Sequence, residues 1–175
     1  MLHRATTRCR EAFRDALDAR AGALAVADST VSADLENAAA TLARQCAELD
    51  VDVPAGALGE LRALATRLSD AGAAAMTPAD ACPDNNVRTG DGLVLIDFEG
   101  AQWRHVAWDL AYLIVPWPSC WCSWRIPADL AGQAIEAYRT AFAMREADSA
   151  GFRRDVEAAA VGWASCRWPG SCPAR

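Results

Sequence analysis

Lysine is absent. All 17 basic residues of this 175-residue chain are arginine, so chemistry that needs a lysine is excluded for the chain acting alone, whether a phosphate-loop lysine or a Schiff base. Histidine occurs only at His3 and His105. No apolar run approaches the roughly 20 residues that cross a bilayer, and the candidate stretch Ala107 to Trp117 is short and carries Asp109. The N-terminal segment has no apolar core of the secretory kind, so a cytoplasmic location without membrane contact is the expectation. With four Phe and two Tyr, an all-β sandwich is not expected. A basic surface is missing as well. The formal net charge of -6 and a pI near 4.9 disfavour a nucleic-acid partner.

What is abundant is alanine, which occurs 40 times and is the strongest helix former. Hydrophobic residues make up 53% and charged residues 23%, the composition of one globular, mainly helical domain. Seven cysteines stand at positions 9, 46, 82, 120, 122, 166 and 172. In a cytoplasmic chain they are expected to be reduced thiols. Cys120-Trp-Cys122 is the one tight pair, and neither histidine stands at zinc-site spacing from it, which favours packing over metal binding.

Helical periodicity predicts elements over residues 3–20, from the caps at Asp28 to Ser32 to about Leu49, and after Pro54 and Gly56. The second carries Leu35, Ala39, Leu42 and Cys46 on one face, and the third Leu58, Leu61, Leu64, Ala65 and Leu68. Further helices are predicted over 104–114, 128–147 and 152–163. Residues 71–101 differ in character. A polar loop with two prolines, Thr77 to Asn86, leads into Val87-Arg88, a turn at Thr89-Gly90-Asp91-Gly92, and the strand Leu93 to Glu99. Asp-Gly between β-prone segments predicts a hairpin.

Two of the three asparagines fall together at Asn85 and Asn86, five residues after Asp80, and Asp97 closes the apolar strand. This order has a chemical logic. A hard Mg²⁺ ion takes oxygen ligands, and a carboxylate with an amide carbonyl supplies two of about six. A second carboxylate can orient and deprotonate an acceptor hydroxyl.

The pattern Asp80-x-x-x-x-Asn85 followed by Leu95-Ile96-Asp97-Phe98-Glu99 resembles the catalytic loop and metal-binding strand of the aminoglycoside phosphotransferase and choline kinase-like family. Trp108-Asp109-Leu110-Ala111-Tyr112 resembles the Asp-Leu-Ala helix of that family, so the likeness spans residues 78–113. The resemblance implies the C-terminal lobe of a protein kinase-like fold over residues 1–165, mainly α with a short β-hairpin, and an unstructured tail over 166–175. It implies Asp80 as catalytic base, Asn85 and Asp97 as Mg²⁺ ligands, and Asp109 as a structural support of the loop. The implied co-substrate is ATP, with a small-molecule hydroxyl as acceptor.

Three departures are legible, one of them a tail after Trp163 that does not continue a helical pattern. Pro78-Ala79 stands where the family loop reads His-Gly. The β-rich nucleotide lobe, with its glycine-rich turn and lysine, is missing from the residues before the loop. The expectation is therefore a phosphotransferase that is weak or inactive as an isolated chain, with a missing N-lobe or partner chain to complete it. An apolar patch around the catalytic loop should mark that vacancy. The alternatives are a pseudokinase remnant acting as a helical binding or scaffold module, and a metal-binding helical domain unrelated to kinases. Five of the seven Trp fall between Trp103 and Trp124. They read as packing, or as an aromatic wall for a cationic substrate.

Overall fold

The computed structural model describes residues 2–21, 31–68, 73–98, 100–115, 126–142 and 149–166. Among these residues the architecture is mainly helical, with two small antiparallel sheets. The elements run α1 (Leu2–Thr6), α2 (Arg10–Ala21), α3 (Val31–Glu48), α4 (Ala57–Arg67), β1 (Ala74–Thr77), β2 (Asn86–Thr89), β3 (Gly92–Leu95), β4 (Gln102–His105), α5 (Ala107–Ala111), α6 (Ala128–Ala141) and α7 (Ser149–Cys166).

The apolar stripes of α3 and α4 face one another and α7. Leu35, Ala38, Ala39 and Leu61 form one buried cluster, the i, i+3, i+4 pattern of a helix with one covered face. A larger cluster gathers Leu68, Ala75, Val106, Trp108, Leu110, Tyr112, Phe152, Val156 and Trp163. At its centre the short helix α5 is buried along all five residues. It packs against α7, where Gly162 makes the close approach possible. A Cβ at Gly162 would lie 2.8 Å from Cη2 of Trp108 and 3.3 Å from Cδ2 of Leu35.

The sheets position the site. β1 pairs with β4 in the register Ala74↔His105 to Thr77↔Gln102, and the Val106 N–H extends the pairing to the Ala73 carbonyl at 2.9 Å. Everything between Thr77 and Gln102, loop and hairpin alike, is an excursion whose two ends are tied side by side. Within it β2 pairs with β3, Asn86↔Leu95 to Thr89↔Gly92, and the turn carries Gly92 at φ 134°, a conformation that costs glycine little.

Several boundaries differ from the sequence expectations. The first helix is split, because the Cys9 N–H turns back to the Thr6 carbonyl at 2.9 Å before α2 begins. Arg104 and His105, predicted helical, belong to β4, where cross-strand pairing with Ala74 and Ala75 overrides local helical propensity. The segment around Ala74, with no strand predicted, is its partner. α7 continues past Trp163 to Cys166, so Cys166 is not part of a tail. The predicted caps at Asp28 to Thr30, the Trp117 to Trp124 loop and residues 167–175 lie outside the described residues.

Cys82 also departs from expectation. It is disulfide-bonded, where reduced thiols were expected; its partner lies outside the described residues.

Candidate active site

The loop after β1 turns on a strained residue. Ala79 adopts φ 66°, in the left-handed region where a Cβ crowds the following carbonyl. This is the position at which the resembling loop carries glycine. Asp80 follows, half-buried. Its Oδ1 accepts the Tyr112 hydroxyl at 2.7 Å and the Cys82 N–H at 3.2 Å, and its Oδ2 has no partner among the described residues. One oxygen thus anchors the carboxylate from two sides.

Asn85 closes the loop. Its Nδ2 donates to the Asp80 carbonyl at 3.1 Å, and its backbone carbonyl accepts the Ile96 N–H at 3.0 Å. The amide oxygen has no partner among the described residues and is a hard donor of the kind that suits a divalent cation. Asn86 instead braces the loop, its Nδ2 donating to the Cys82 carbonyl at 2.9 Å. Asp84 is exposed in the short 3-10 turn Pro83–Asn85.

Asp97 stands at φ 62°, in the left-handed region that aspartate tolerates better than most residues. Its carboxylate is exposed and makes no hydrogen bond or ion pair among the described residues. Asp80 and Asn85 line one cavity of about 450 Å³, and Asp97 does not line it. Among the described residues no group of three or more His, Cys, Asp or Glu is arranged to hold a metal ion. The Asn85 amide oxygen and the Asp97 carboxylate are both hard oxygen groups of the kind that Mg²⁺ takes.

Asp109 also lines the cavity, but its partners are not in the loop. Oδ2 accepts from His3 Nε2 at 2.9 Å and Oδ1 from Arg104 Nη2 at 2.8 Å. Burial alone would push its carboxyl up. The His3 hydrogen bond and the positive Arg104 outweigh it and hold the carboxyl below its usual range. Because a carboxylate only accepts, His3 carries its proton on Nε2; its Nδ1 meets the Tyr138 hydroxyl at 2.8 Å. Burial, then the Asp109 charge, raise the Tyr138 phenol. Thr6 holds α1 in place by accepting the Met76 N–H at 3.3 Å, and so delivers His3 to the cavity.

Tyr112, His3, Arg104 and Tyr138 were missed by the sequence reading. Tyr112 stands in the same short segment as Asp109, within the stretch that carries the family resemblance. The His3 contacts span 106 and 135 residues, and no local pattern announces them. The described tryptophans pack rather than bind. Trp103 lies against Phe13 at 6.0 Å, Trp108 under the Arg104 guanidinium at 5.7 Å, and Trp163 edge-on to Tyr112 at 5.3 Å, and none lines the cavity.

The hairpin beside the loop exposes Val87, Leu93, Val94, Leu95, Ile96 and Phe98.

The helical domain thus carries an acidic loop residue and an asparagine on the wall of one cavity. The model of the APH phosphotransferase enzyme family matches residues 2–167, and the chain belongs to that family, the aminoglycoside phosphotransferase and choline kinase-like group. No curated protein matches the chain, and no solved structure does. No helix among the described residues is long and apolar enough to cross a membrane.

Proposed function

We propose that the chain is the helical lobe of a protein kinase-like phosphotransferase that moves the γ-phosphoryl group of ATP to a small-molecule hydroxyl. One observation carries the reading: Asp80 is held by one oxygen and open at the other, in a cavity it shares with Asn85. Asp80 Oδ2 takes the acceptor's proton as the acceptor oxygen bonds to the γ-phosphorus. The bond from that phosphorus to the β–γ bridging oxygen breaks, and ADP leaves with the electron pair. Asn85 and Asp97 would hold Mg²⁺, which when bound offsets the negative charge of the phosphates. Asp109, with Arg104 and His3, keeps the cavity wall in register.

Phosphoryl transfer depends on positioning and charge stabilisation, and loss of either commonly costs orders of magnitude in rate. A chain without lysine lacks the usual cation on the α- and β-phosphates, so turnover of the isolated chain is slow and a separate nucleotide lobe speeds it. A cytoplasmic location suits the ATP requirement, while the Cys82 disulfide argues the other way. The exposed apolar hairpin favours a second reading, a catalytically silent remnant that serves as a binding module.

Thermal unfolding with and without Mg²⁺ and ATP, beside Asp97→Ala, tests the first reading. A ligand bound only by the folded state raises its apparent stability. A Mg²⁺-dependent rise that disappears in Asp97→Ala is expected. No rise at millimolar ATP, in a chain that melts cooperatively, sinks the phosphotransferase reading and leaves the binding module.

A further inference from the structure

The walls of the cavity at Asp80 are uneven in character. Leu2, Leu93, Leu95, Ile96, Leu110 and Leu113 line it, while among the described residues its carboxylates are Asp80 and Asp109. Asp109 is already matched by Arg104 at 2.8 Å and His3 at 2.9 Å, which leaves no negative charge there for a ligand. Asp80 therefore offers the one open carboxylate oxygen.

The charge pattern discriminates between acceptor classes. A polycation loses water from each ammonium on entry and needs a carboxylate for each. This cavity supplies one, and the proposed chemistry uses it. A sugar needs hydrogen-bond partners for most of its hydroxyls, and the polar groups among the lining are largely engaged already: His3 with Tyr138 and Asp109, and Asn86 with the Cys82 carbonyl. A compound with an apolar body and a single hydroxyl leaves neither deficit. Its skeleton covers the leucines while its hydroxyl meets Asp80 Oδ2. The cavity volume of about 450 Å³ suits a small molecule of this kind.

We propose that the acceptor is an apolar-bodied alcohol, neither a polyamine-bearing sugar nor a simple carbohydrate. This rests on the reading of Asp80 as the base. The alternation of β3 supplies an internal control. Leu93 and Leu95 line the cavity, whereas Val94 between them does not and faces the other side of the hairpin. Leu93, Val94 and Ile96 are 66%, 48% and 44% exposed, so charged substitutions there spare the core.

Calorimetric titration of the full chain with phenylhexanol, kanamycin and glucose tests this. Phenylhexanol is expected to bind with Kd at or below about 1 mM, and the other two more weakly. Leu93→Asp and Ile96→Asp should each weaken phenylhexanol about tenfold or more, with Val94→Asp unchanged. Tighter binding of kanamycin or glucose overturns the proposal. So does unaltered phenylhexanol affinity in both cavity variants, or no phenylhexanol binding by a chain that melts cooperatively. Mass spectrometry after incubation with Mg²⁺ and ATP separates the two readings. Phenylhexanol that binds but is never phosphorylated sinks the phosphotransferase and leaves the ligand class standing. Phosphorylated kanamycin does the reverse.

Discussion

The Tyr112 hydroxyl donates to Oδ1 of Asp80 across 2.7 Å, while the Tyr112 ring stands edge-on to Trp163 at 5.3 Å and 80°. The loop carboxylate is thereby coupled to α7 through one buried side chain. Tyr112→Phe keeps the ring and removes the bond. Unfolding in urea should show a loss of about 1 kcal/mol. If the chain transfers phosphate, turnover should drop about tenfold with the KM for ATP unchanged, because the base loses its orientation and the nucleotide does not. An unchanged turnover would remove Tyr112 from any positioning role.

Ala79 at φ 66° pays for a backbone that glycine adopts freely. Ala79→Gly should stabilise the chain by about 0.5–1 kcal/mol, the relief of left-handed strain exceeding the extra entropy of the unfolded state. Chemical denaturation reads this directly, and a destabilised variant would show that the Ala79 methyl contributes packing that outweighs the strain.

Gly162 faces the opposite constraint, since a methyl there would meet the buried Trp108 ring at 2.8 Å. Gly162→Ala should cost about 1–3 kcal/mol through overpacking, despite the better helix propensity of alanine. A variant as stable as the parent would mean that α5 and α7 can separate without loss.

The buried His105 and Asp109 give stability a dependence on pH. Burial lowers the His105 pKa; the Asp155 charge opposes this and Arg67 adds to it. The unfolded chain then binds the proton more readily, so this stabilisation is complete above about pH 6.5 and is lost as pH falls from there toward the depressed folded value. Asp109 contributes further down. With its folded pKa lowered, its stabilisation is present above the ordinary carboxylate range and lost as pH falls through the folded value. The melting temperature should therefore decline from about pH 7 to 5, and less steeply in His105→Asn, in which an oxygen can still accept the Ala107 N–H. Equal slopes in parent and variant would exclude His105 as the source.

The residues that surfaced in the sequence were those whose partners lie close along the chain. Asp80 and Asn85 share a loop, and the Asp-Gly turn predicted the β2–β3 hairpin. The α3 and α4 stripes followed from periodicity because each helix packs by one face. The β1–β4 sheet was hidden, since Ala74-Ala75-Met76 reads as helix-prone and becomes a strand only where Trp103, Arg104 and His105 pair with it. The His3–Asp109–Arg104 cluster was hidden for the same reason, its members coming from α1, α5 and β4. Asp109 was marked as a support for the loop; its carboxylate instead joins α1 to β4.

The antiparallel clamp of β1 on β4 gives the active segment a modular character. Thr77 and Gln102 are register partners, so the chain leaves the helical body and returns to it at the same place. A segment anchored in this way can lengthen, shorten or change its chemistry at small cost in closure entropy. The helices behind it need not rearrange. Divergence within such a lineage would concentrate between those two residues, with one scaffold presenting successive versions of the same excursion.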